Sequence, residues 1–186
     1  ASSSACPTWV DKWYGLDNGS NDNSMSTGRL RLSDESIRLG ASSTSNALRN
    51  AICRKADLSG QLGRAMLSFD QAGTNRVDSS DEVWVQVTTT SNSNCSSSTS
   101  TASTPPSTSG SNSISSRWVT VAKFPGVGSS TSQRRVVSLA DYEDANTRIR
   151  IINGTRTTSG ETHIIDNVNL SLSDWCEYSS NSPASS

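Results

Sequence analysis

The sequence has few of the residues on which most enzymes and nucleic-acid-binding proteins depend. It contains one histidine, its aromatic fraction is 5%, and its formal net charge is −1. A charge so close to zero creates no long-range field that would attract nucleic acid or an acidic membrane surface. No apolar run approaches the roughly 18–20 residues that a membrane-spanning helix needs. We therefore expect neither a nucleic-acid partner nor insertion into a membrane.

Charge and hydrophobicity are both low, since charged residues make up 18% and hydrophobic residues 32% of the chain. The remaining polarity comes from serine, threonine and asparagine. A chain of 186 residues is long enough to bury one core. The sequence does not start with a charged and apolar leader, and we expect any secretion signal to have been removed already.

Paired, closely spaced metal ligands are also absent, because the four cysteines form no CxxC pair. Zinc sites depend on such pairs, so two disulfide bonds in an oxidising compartment are the favoured interpretation. Four cysteines allow about three pairings, and the sequence does not choose among them. We expect Cys6–Cys176 to tie the chain ends and Cys53–Cys95 to anchor a loop.

Short alternating segments between turn-forming residues dominate the chain. In EVWVQVTTT (82–90), three valines are expected to face inward, with Trp84 and Gln86 outward. Further strands are expected at RLRL, SIRLG, AMLSFD, RWVTVAKF, RRVVSL and TRIRI. Residues 47–60 begin like a helix, although Ala51-Ile52-Cys53 suits a strand as well. No convincing amphipathic helix is visible, and we predict an all-β fold, a two-sheet antiparallel β-sandwich.

The composition changes abruptly at residue 88. Residues 88–116 contain no charged side chain and consist almost entirely of Ser, Thr, Asn, Pro and Gly around Cys95. Such a segment buries too little surface to offset its ordering entropy. It suits an O-glycosylated insertion and a plain flexible loop equally well. We predict one domain over residues 1–175 that carries this insertion, followed by a polar tail or linker over 176–186.

Two clusters of side chains leave alternatives open. Trp9 and Trp13 lie beside a polar loop, where they could form a ligand platform, although a plug of the core near the chain end is the favoured interpretation. In TRIRI, Arg148 and Arg150 alternate with isoleucines, and we expect the arginines on a solvated face.

Asp166 is out of place in the last strand. Simple alternation puts it on the same side as four aliphatic residues, namely Ile164, Val168, Leu170 and Leu172. An unpaired buried carboxylate is strongly destabilising. Asp166 must therefore lie at the mouth of the core, or be neutralised by backbone N–H groups or a cation.

Six phrases occur in order along the chain: SIRLG, KADLSGQLGRAMLSFD, DEVWVQV, RWVTVAKF, VVSLADYEDANTRIRI and HIIDNVNL. Together they resemble the MAM-like and carbohydrate-binding-module-like jelly rolls that occur as accessory domains of extracellular proteins. The resemblance covers about residues 36–172. It implies two antiparallel sheets, a module without catalytic activity, and a secreted or cell-surface location.

The resemblance also implies a structural calcium ion near the last strand and an early loop. On this chain the ion would be held by Asp166 with Asp17 or Asp22 of DNGSND. Calcium takes about six to eight oxygen ligands, and amides, hydroxyls and carbonyls can complete such a set. An aspartate satisfied by turn amides is the alternative.

Four positions match the N-glycosylation sequon: Asn18, Asn94, Asn153 and Asn169. Several matches are expected by chance, because Asn, Ser and Thr are abundant. The side chain of Asn169 should face solvent, since it alternates with Val168 and Leu170.

We predict a non-catalytic extracellular recognition or adhesion module that binds carbohydrate or a cell-surface protein, with Trp84 and Gln86 at the ligand. One alternative is a self-associating structural subunit of a glycosylated surface layer or filament. Another is a hydrolase that uses His163, although no GxSxG motif accompanies this histidine.

Overall fold

The computed structural model describes residues 7–17, 20–22, 30–33, 36–40, 50–89, 118–129, 131–154 and 160–173. They form two antiparallel sheets. The first contains β1 (Thr8–Trp9), β2 (Tyr14–Asp17), β3 (Ser20–Asp22), β6 (Ala51–Asp57), β8 (Val83–Thr88), β9 (Val119–Phe124) and β11 (Thr147–Asn153). The second contains β4 (Leu30–Ser33), β5 (Ser36–Gly40), β7 (Ala65–Gly73), β10 (Gln133–Ser138) and β12 (Thr162–Leu172). The predicted two-sheet β-sandwich is confirmed.

Both sheets are connected out of sequence order. The first runs β3-β2-β6-β11-β8-β9, with β1 also paired to β6, and the second runs β10-β7-β12-β5-β4. The only helical element among the described residues is a 3₁₀ turn at Ala140–Tyr142. None of the described residues belongs to a helix long and apolar enough to cross a membrane.

The hydrophobic core lies between the sheets and follows the alternation of the strands. From the first sheet it receives the three valines of β8 together with Ile149 and Ile151 of β11. From the second it receives Leu67 and Phe69 of β7. Burying one such side chain contributes roughly 1.5–3 kcal/mol. The inward positions of β8 and β11 agree with those predicted from the two-residue period of the strands.

Residues 51–57 form the strand β6, so the helical alternative for this segment is wrong. Cys53 lies on β6, is fully buried and is disulfide-bonded. Cys6, Cys95 and Cys176 lie outside the described residues. The pairings Cys53–Cys95 and Cys6–Cys176 therefore stay predictions.

Trp9 and Trp13 pack against the main core. Their ring centroids are 5.0 Å apart, and the guanidinium carbon of Arg54 lies 5.0 Å and 5.6 Å from the two centroids. Arg54 lies on the same side of β6 as the core residues Ile52 and Ala56, so it contacts the indoles on the core side of the sheet. The arrangement agrees with a core plug rather than a ligand platform.

A β-bulge in β12 overturns the assignment of Asp166 to the core side. Asp166 pairs with Asp70, whereas Asn169 pairs with Ser68, so β12 has one residue more than β7 between these pairs. The extra residue reverses the alternation. His163 and Ile165 face the core before the bulge and Leu170 faces it afterwards, while Asp166 is only half-buried.

The bulge is stabilised by one hydrogen bond within β12 and one to β7. Asn167 has a φ of 49°, a left-handed conformation that asparagine tolerates better than most residues. Its backbone N–H donates to Asp166 Oδ1 at 2.6 Å, and its side-chain amide donates to Asp70 Oδ2 at 2.7 Å. Asp166 thus caps a bulge at the surface of the second sheet.

The insertion and the tail lie largely outside the described residues. β8 ends at Thr88, and the next described strand begins at Val119. Residues 90–117 and 174–186 are not described. The single-domain boundary, the insertion at 88–116 and the tail at 176–186 remain predictions.

Candidate functional site

The outer face of the first sheet, meaning the face turned away from the second sheet, carries the candidate site. Directly paired residues of neighbouring strands project from the same face, so strand register arranges the outer residues in rows. The central row consists of Tyr14, Cys53, Arg150, Gln86 and Thr120. The adjacent row includes Ala51, Ile152, Trp84 and Lys123.

The central row is a buried polar network. Arg150 Nε donates to Gln86 Oε1 at 2.6 Å, and Gln86 Nε2 donates to Thr120 Oγ1 at 2.9 Å. The guanidinium carbon of Arg150 lies 4.3 Å from the ring centroid of Trp118. Hydrogen bonds to a charged group in a shielded environment are stronger than those in water. Arg150 is therefore fixed beneath the Trp118 indole.

The burial of this network corrects two expectations. Gln86 is 0% exposed and Arg150 is 4% exposed, although both were expected to face solvent. Their side of the sheet was predicted correctly, but alternation does not show whether another part of the chain covers that side. Here the Trp118 indole covers part of Arg150. Gln86 therefore supports the site from below, and its amide is engaged by Arg150 and Thr120.

Trp84 is half-buried on the outer face, as the alternation of β8 predicted. Its Nε1 donates to Glu82 Oε2 at 2.7 Å, and the ammonium of Lys123 lies 4.4 Å from its ring centroid. A Trp with its N–H bonded is held in one orientation. Lys123 was not singled out from the sequence, because its position opposite Trp84 requires the strand pairing. Glu82 lies two residues before Trp84 and therefore projects from the same side.

Gly154 lies directly against the Trp84 indole. A Cβ at Gly154 would be 2.1 Å from Trp84 Nε1 and 2.3 Å from both Cδ1 and Cε2. Near-equal distances to three contiguous ring atoms put this point over the face of the ring. Gly154 follows β11 and Lys123 lies on β9, the strands that flank β8. The glycine backbone and the lysine ammonium therefore approach the indole from opposite sides.

Replacing Gly154 with alanine should push the Trp84 indole out of place. We expect Gly154→Ala to lower the free energy of unfolding by about 1–3 kcal/mol, the usual range for overpacking, and to shift the Trp84 indole N–H resonance. Gly128→Ala is the matched control, since its added Cβ would meet only a carbonyl oxygen at 3.8 Å. Urea unfolding and NMR of both variants test this, and equal stability would contradict the close contact.

The outer face of the second sheet is arranged differently. Arg134 forms a salt bridge with Asp70, N to O 3.1 Å, and also donates to Ser68 Oγ at 2.7 Å. Among the side chains that the structure describes on this face, none is aromatic. This face consists of a locally neutralised polar patch around the bulge.

The proposed calcium ligands are not brought together by any described contact. Asp166 Oδ1 accepts the backbone N–H of Asn167, which is the amide-capped alternative considered from the sequence. The side chains of Asp17 and Asp22 lie outside the described residues. No cluster of three or more His, Cys, Asp or Glu side chains occurs in the part of the chain that the structure describes. Calcium binding remains a prediction based on the resemblance.

His163 faces the core and is 0% exposed. Burial lowers its pKa to about 4, with an opposing contribution from Glu161. Within the described structure, neither ring nitrogen has a hydrogen-bond partner. A general base must reach the proton that it removes, so His163 cannot act on a substrate in solution. The hydrolase alternative, which depended on His163 as its base, is therefore not supported.

The sequons fall in contrasting environments. Asn153 is 3% exposed at the core end of β11, because it lies two residues after Ile151 and faces the same side. A glycan cannot be attached there in this fold. Asn169 is exposed, as predicted. Asn18 and Asn94 lie outside the described residues. Of the two described sequons, only Asn169 is accessible.

The fold is similar to that of solved sugar-binding proteins. It matches a family 61 carbohydrate-binding module in complex with β-1,4-galactotriose over 87% of this chain and 89% of that one, with a TM-score of 0.51 and 9% identity. It also matches a protein of Bacteroides thetaiotaomicron VPI-5482 to which sugar binding has been ascribed, over 89% of each chain, with a TM-score of 0.50 and 11% identity.

Identities this low establish a shared β-sandwich fold and nothing further. No protein-family model matches the sequence, and no curated protein is significantly similar to it. These comparisons do not confirm the MAM-like part of the resemblance. The class defined so far is a two-sheet antiparallel β-sandwich whose fold is similar to that of these proteins.

Proposed function

We propose that this chain is a non-catalytic carbohydrate-binding module of a secreted protein, and that it binds glycan on the outer face of its first sheet. The observation that carries the proposal is the distribution of aromatic side chains. Tyr14 and Trp84 are half-buried on this outer face, and Trp118, which is only 1% exposed, packs there on Cys53 and Arg150. The described side chains on the opposite outer face include no aromatic ring. Ligand sites combine such apolar surfaces with a few placed polar groups.

Trp84 is the proposed contact with the sugar. Glu82 and Gly154 fix its orientation, and the Arg150–Gln86–Thr120 network forms a rigid floor beside it. A preformed site loses little conformational entropy on binding, which favours affinity. Gln86, first expected at the ligand, acts in this proposal by holding Arg150 in place.

A secreted or cell-surface location is part of the proposal. It is supported by the disulfide bond of Cys53, because structural disulfides persist mainly in oxidising compartments. The similar solved structures are consistent with carbohydrate as the partner, and an adhesive role toward glycoproteins would use the same face.

Removing the Trp84 indole should weaken glycan binding. We expect Trp84→Ala to weaken binding by at least about 5-fold, since stacking on one aromatic ring contributes on the order of 1 kcal/mol or more, and Trp84→Phe to retain part of the affinity. Affinity gel electrophoresis over a panel of soluble polysaccharides measures the effect. Val136→Ala, on the exposed opposite face, is the control, and unchanged binding by Trp84→Ala would place the site elsewhere.

A further inference from the structure

We propose that the glycan bound on the outer face of the first sheet is anionic and carries carboxylate or sulfate groups. This inference rests on the proposed function, because it assigns the ligand class of the same site. It is carried by the position of Lys123 on Trp84 and by the charges that surround them.

Lys123 occupies the side of Trp84 that a sugar would need. Its ammonium lies 4.4 Å from the ring centroid, while the backbone of Gly154 blocks the other side of the indole. A pyranose ring can stack on Trp84 only after the ammonium has moved off the ring. A neutral sugar offers no replacement for the lost cation–π contact. A uronic acid or sulfated sugar does, because its anionic group pairs with the displaced ammonium.

Other cations lie along the same face. Lys55 and Arg148 are direct cross-strand partners, and the ammonium of Lys12 lies 5.8 Å from the ring centroid of Tyr14. With Lys123 and the buried Arg150, the described outer face has five cationic side chains: Lys12, Lys55, Lys123, Arg148 and Arg150. Like charges in adjacent positions of a sheet repel each other, which a polyanion lying across the rows would relieve.

The acidic groups on this face are already engaged. Glu82 accepts the Trp84 indole N–H. Asp57, on the outer side of β6, accepts the backbone N–H of Ser59 at 3.0 Å and its hydroxyl at 2.6 Å, and these bonds lower the pKa of Asp57. Asp11 lies at the edge of this group, where its Oδ1 accepts the backbone N–H of Lys55 at 2.9 Å. Five cations against three acids still give a local excess of positive charge. The whole chain has a net charge of −1, so this excess belongs to the face and not to the protein at large.

On the outer face of the second sheet, positive and negative side chains balance each other. There Arg134 is paired with Asp70, and Asp166 lies beside them in the register. Arg134 and Arg38 lie on this face with Asp70 and Asp166, so the described charges of its strands balance, and no described aromatic ring lies among them. A polyanion has neither a stacking surface nor unbalanced charge to bind on that side.

The test compares anionic polysaccharides with neutral partners of the same backbone. Suitable pairs are polygalacturonate with its methyl ester, carboxymethylcellulose with hydroxyethylcellulose, and dextran sulfate with dextran. Isothermal titration calorimetry should show that the anionic member of at least one pair binds about 10-fold tighter or more, equivalent to ~1.4 kcal/mol. Raising the salt concentration from 0.05 M to 0.5 M should weaken this preference, because salt screens exposed charges.

Two substitutions tie the preference to the site. Lys123→Gln should abolish the preference for the anionic member, because it removes the cation that pairs with the anionic group and also the cation–π contact that a neutral sugar must break. Lys123→Arg should preserve the preference. Arg134→Gln removes the same charge from the opposite face and should leave the preference unchanged. Thermal melting of each variant confirms that the fold is retained.

The outcomes separate this inference from the proposed function. Equal affinity for both members of every pair that binds overturns the anionic ligand and supports a module for neutral glycans. No binding to any member overturns both proposals. Tight binding of dextran sulfate that survives Trp84→Ala also overturns the inference, since it indicates charge attraction without a sugar site.

Discussion

Acidification from pH 6.5 to pH 4 should lower the free energy of unfolding by about 3 kcal/mol through His163 alone. In the unfolded chain a histidine titrates near 6.5, whereas burial lowers the pKa of His163 to about 4 in the folded state. In this interval the unfolded state binds a proton that the folded state does not. The stability is therefore complete above pH 6.5 and is lost progressively as the pH falls to 4.

The environment of His163 explains why it resists protonation. In the register, its neighbours are Leu39 of β5 and Gly73 of β7, neither of which has a side chain that can form a hydrogen bond. Glu161 is the one nearby acid that favours the charged form. A protonated imidazole would bring an uncompensated charge into the core.

The aspartates with shifted pKa values change the stability outside this pH interval or in the opposite direction. Hydrogen bonds lower the pKa values of Asp57, Asp70 and Asp78, so the stability that they contribute is lost at more acidic pH. Burial raises the pKa of Asp81, so the folded state takes up a proton first, and this group stabilises the fold as the pH falls. His163 dominates because its shift is much larger.

Substituting the histidine tests this assignment. His163→Leu should unfold with nearly constant free energy between pH 6.5 and pH 4 and should be at least as stable as the wild type at pH 7, since it removes two unpaired nitrogens. Asp81→Asn is the control and should leave the acid-induced loss in place. Urea unfolding at several pH values measures both variants. A wild-type stability that stays constant over this interval would show that His163 is hydrated in solution.

The architecture could be predicted because it follows from local pattern. SIRLG forms β5 at the bounds expected from the sequence, and the three valines of β8 face the core as their spacing required. Period-two alternation and frequent turn residues leave few alternatives to an antiparallel sandwich. These properties depend on residues close together in sequence.

The errors arose where distant segments decide the outcome. The bulge at Asp166 and Asn167 depends on hydrogen bonds to Asp70, almost a hundred residues earlier in the chain, and the only local signal was a turn-forming Asp-Asn pair inside a strand. The burial of Arg150 depends on Trp118, which directly precedes β9. The contact of Gly154 with Trp84 could not be predicted, because it requires the register of β8 against β11.

Arg150 should be the most sensitive polar residue of the outer face. We expect Arg150→Ala to cost about 3 kcal/mol or more, because it leaves Gln86 Oε1 without its donor, removes support from Trp118 and opens a buried space. Arg148→Ala provides the matched control. It lies two residues earlier on the same strand and face but is only half-buried, and its removal should cost less than about 1 kcal/mol.

A double substitution separates loss of the network from loss of volume. Arg150→Met with Gln86→Leu replaces both partners by apolar side chains, so no buried acceptor is left unpaired between them, and much of the stability should return. Glycan binding should not recover to the same extent, since the polar floor beside Trp84 is then lost. Urea unfolding and calorimetric titration on the same four proteins give both quantities. If Arg150→Ala is no more harmful than Arg148→Ala, water replaces the guanidinium, and the rigidity of the outer face must come from the strands and the Cys53 disulfide alone.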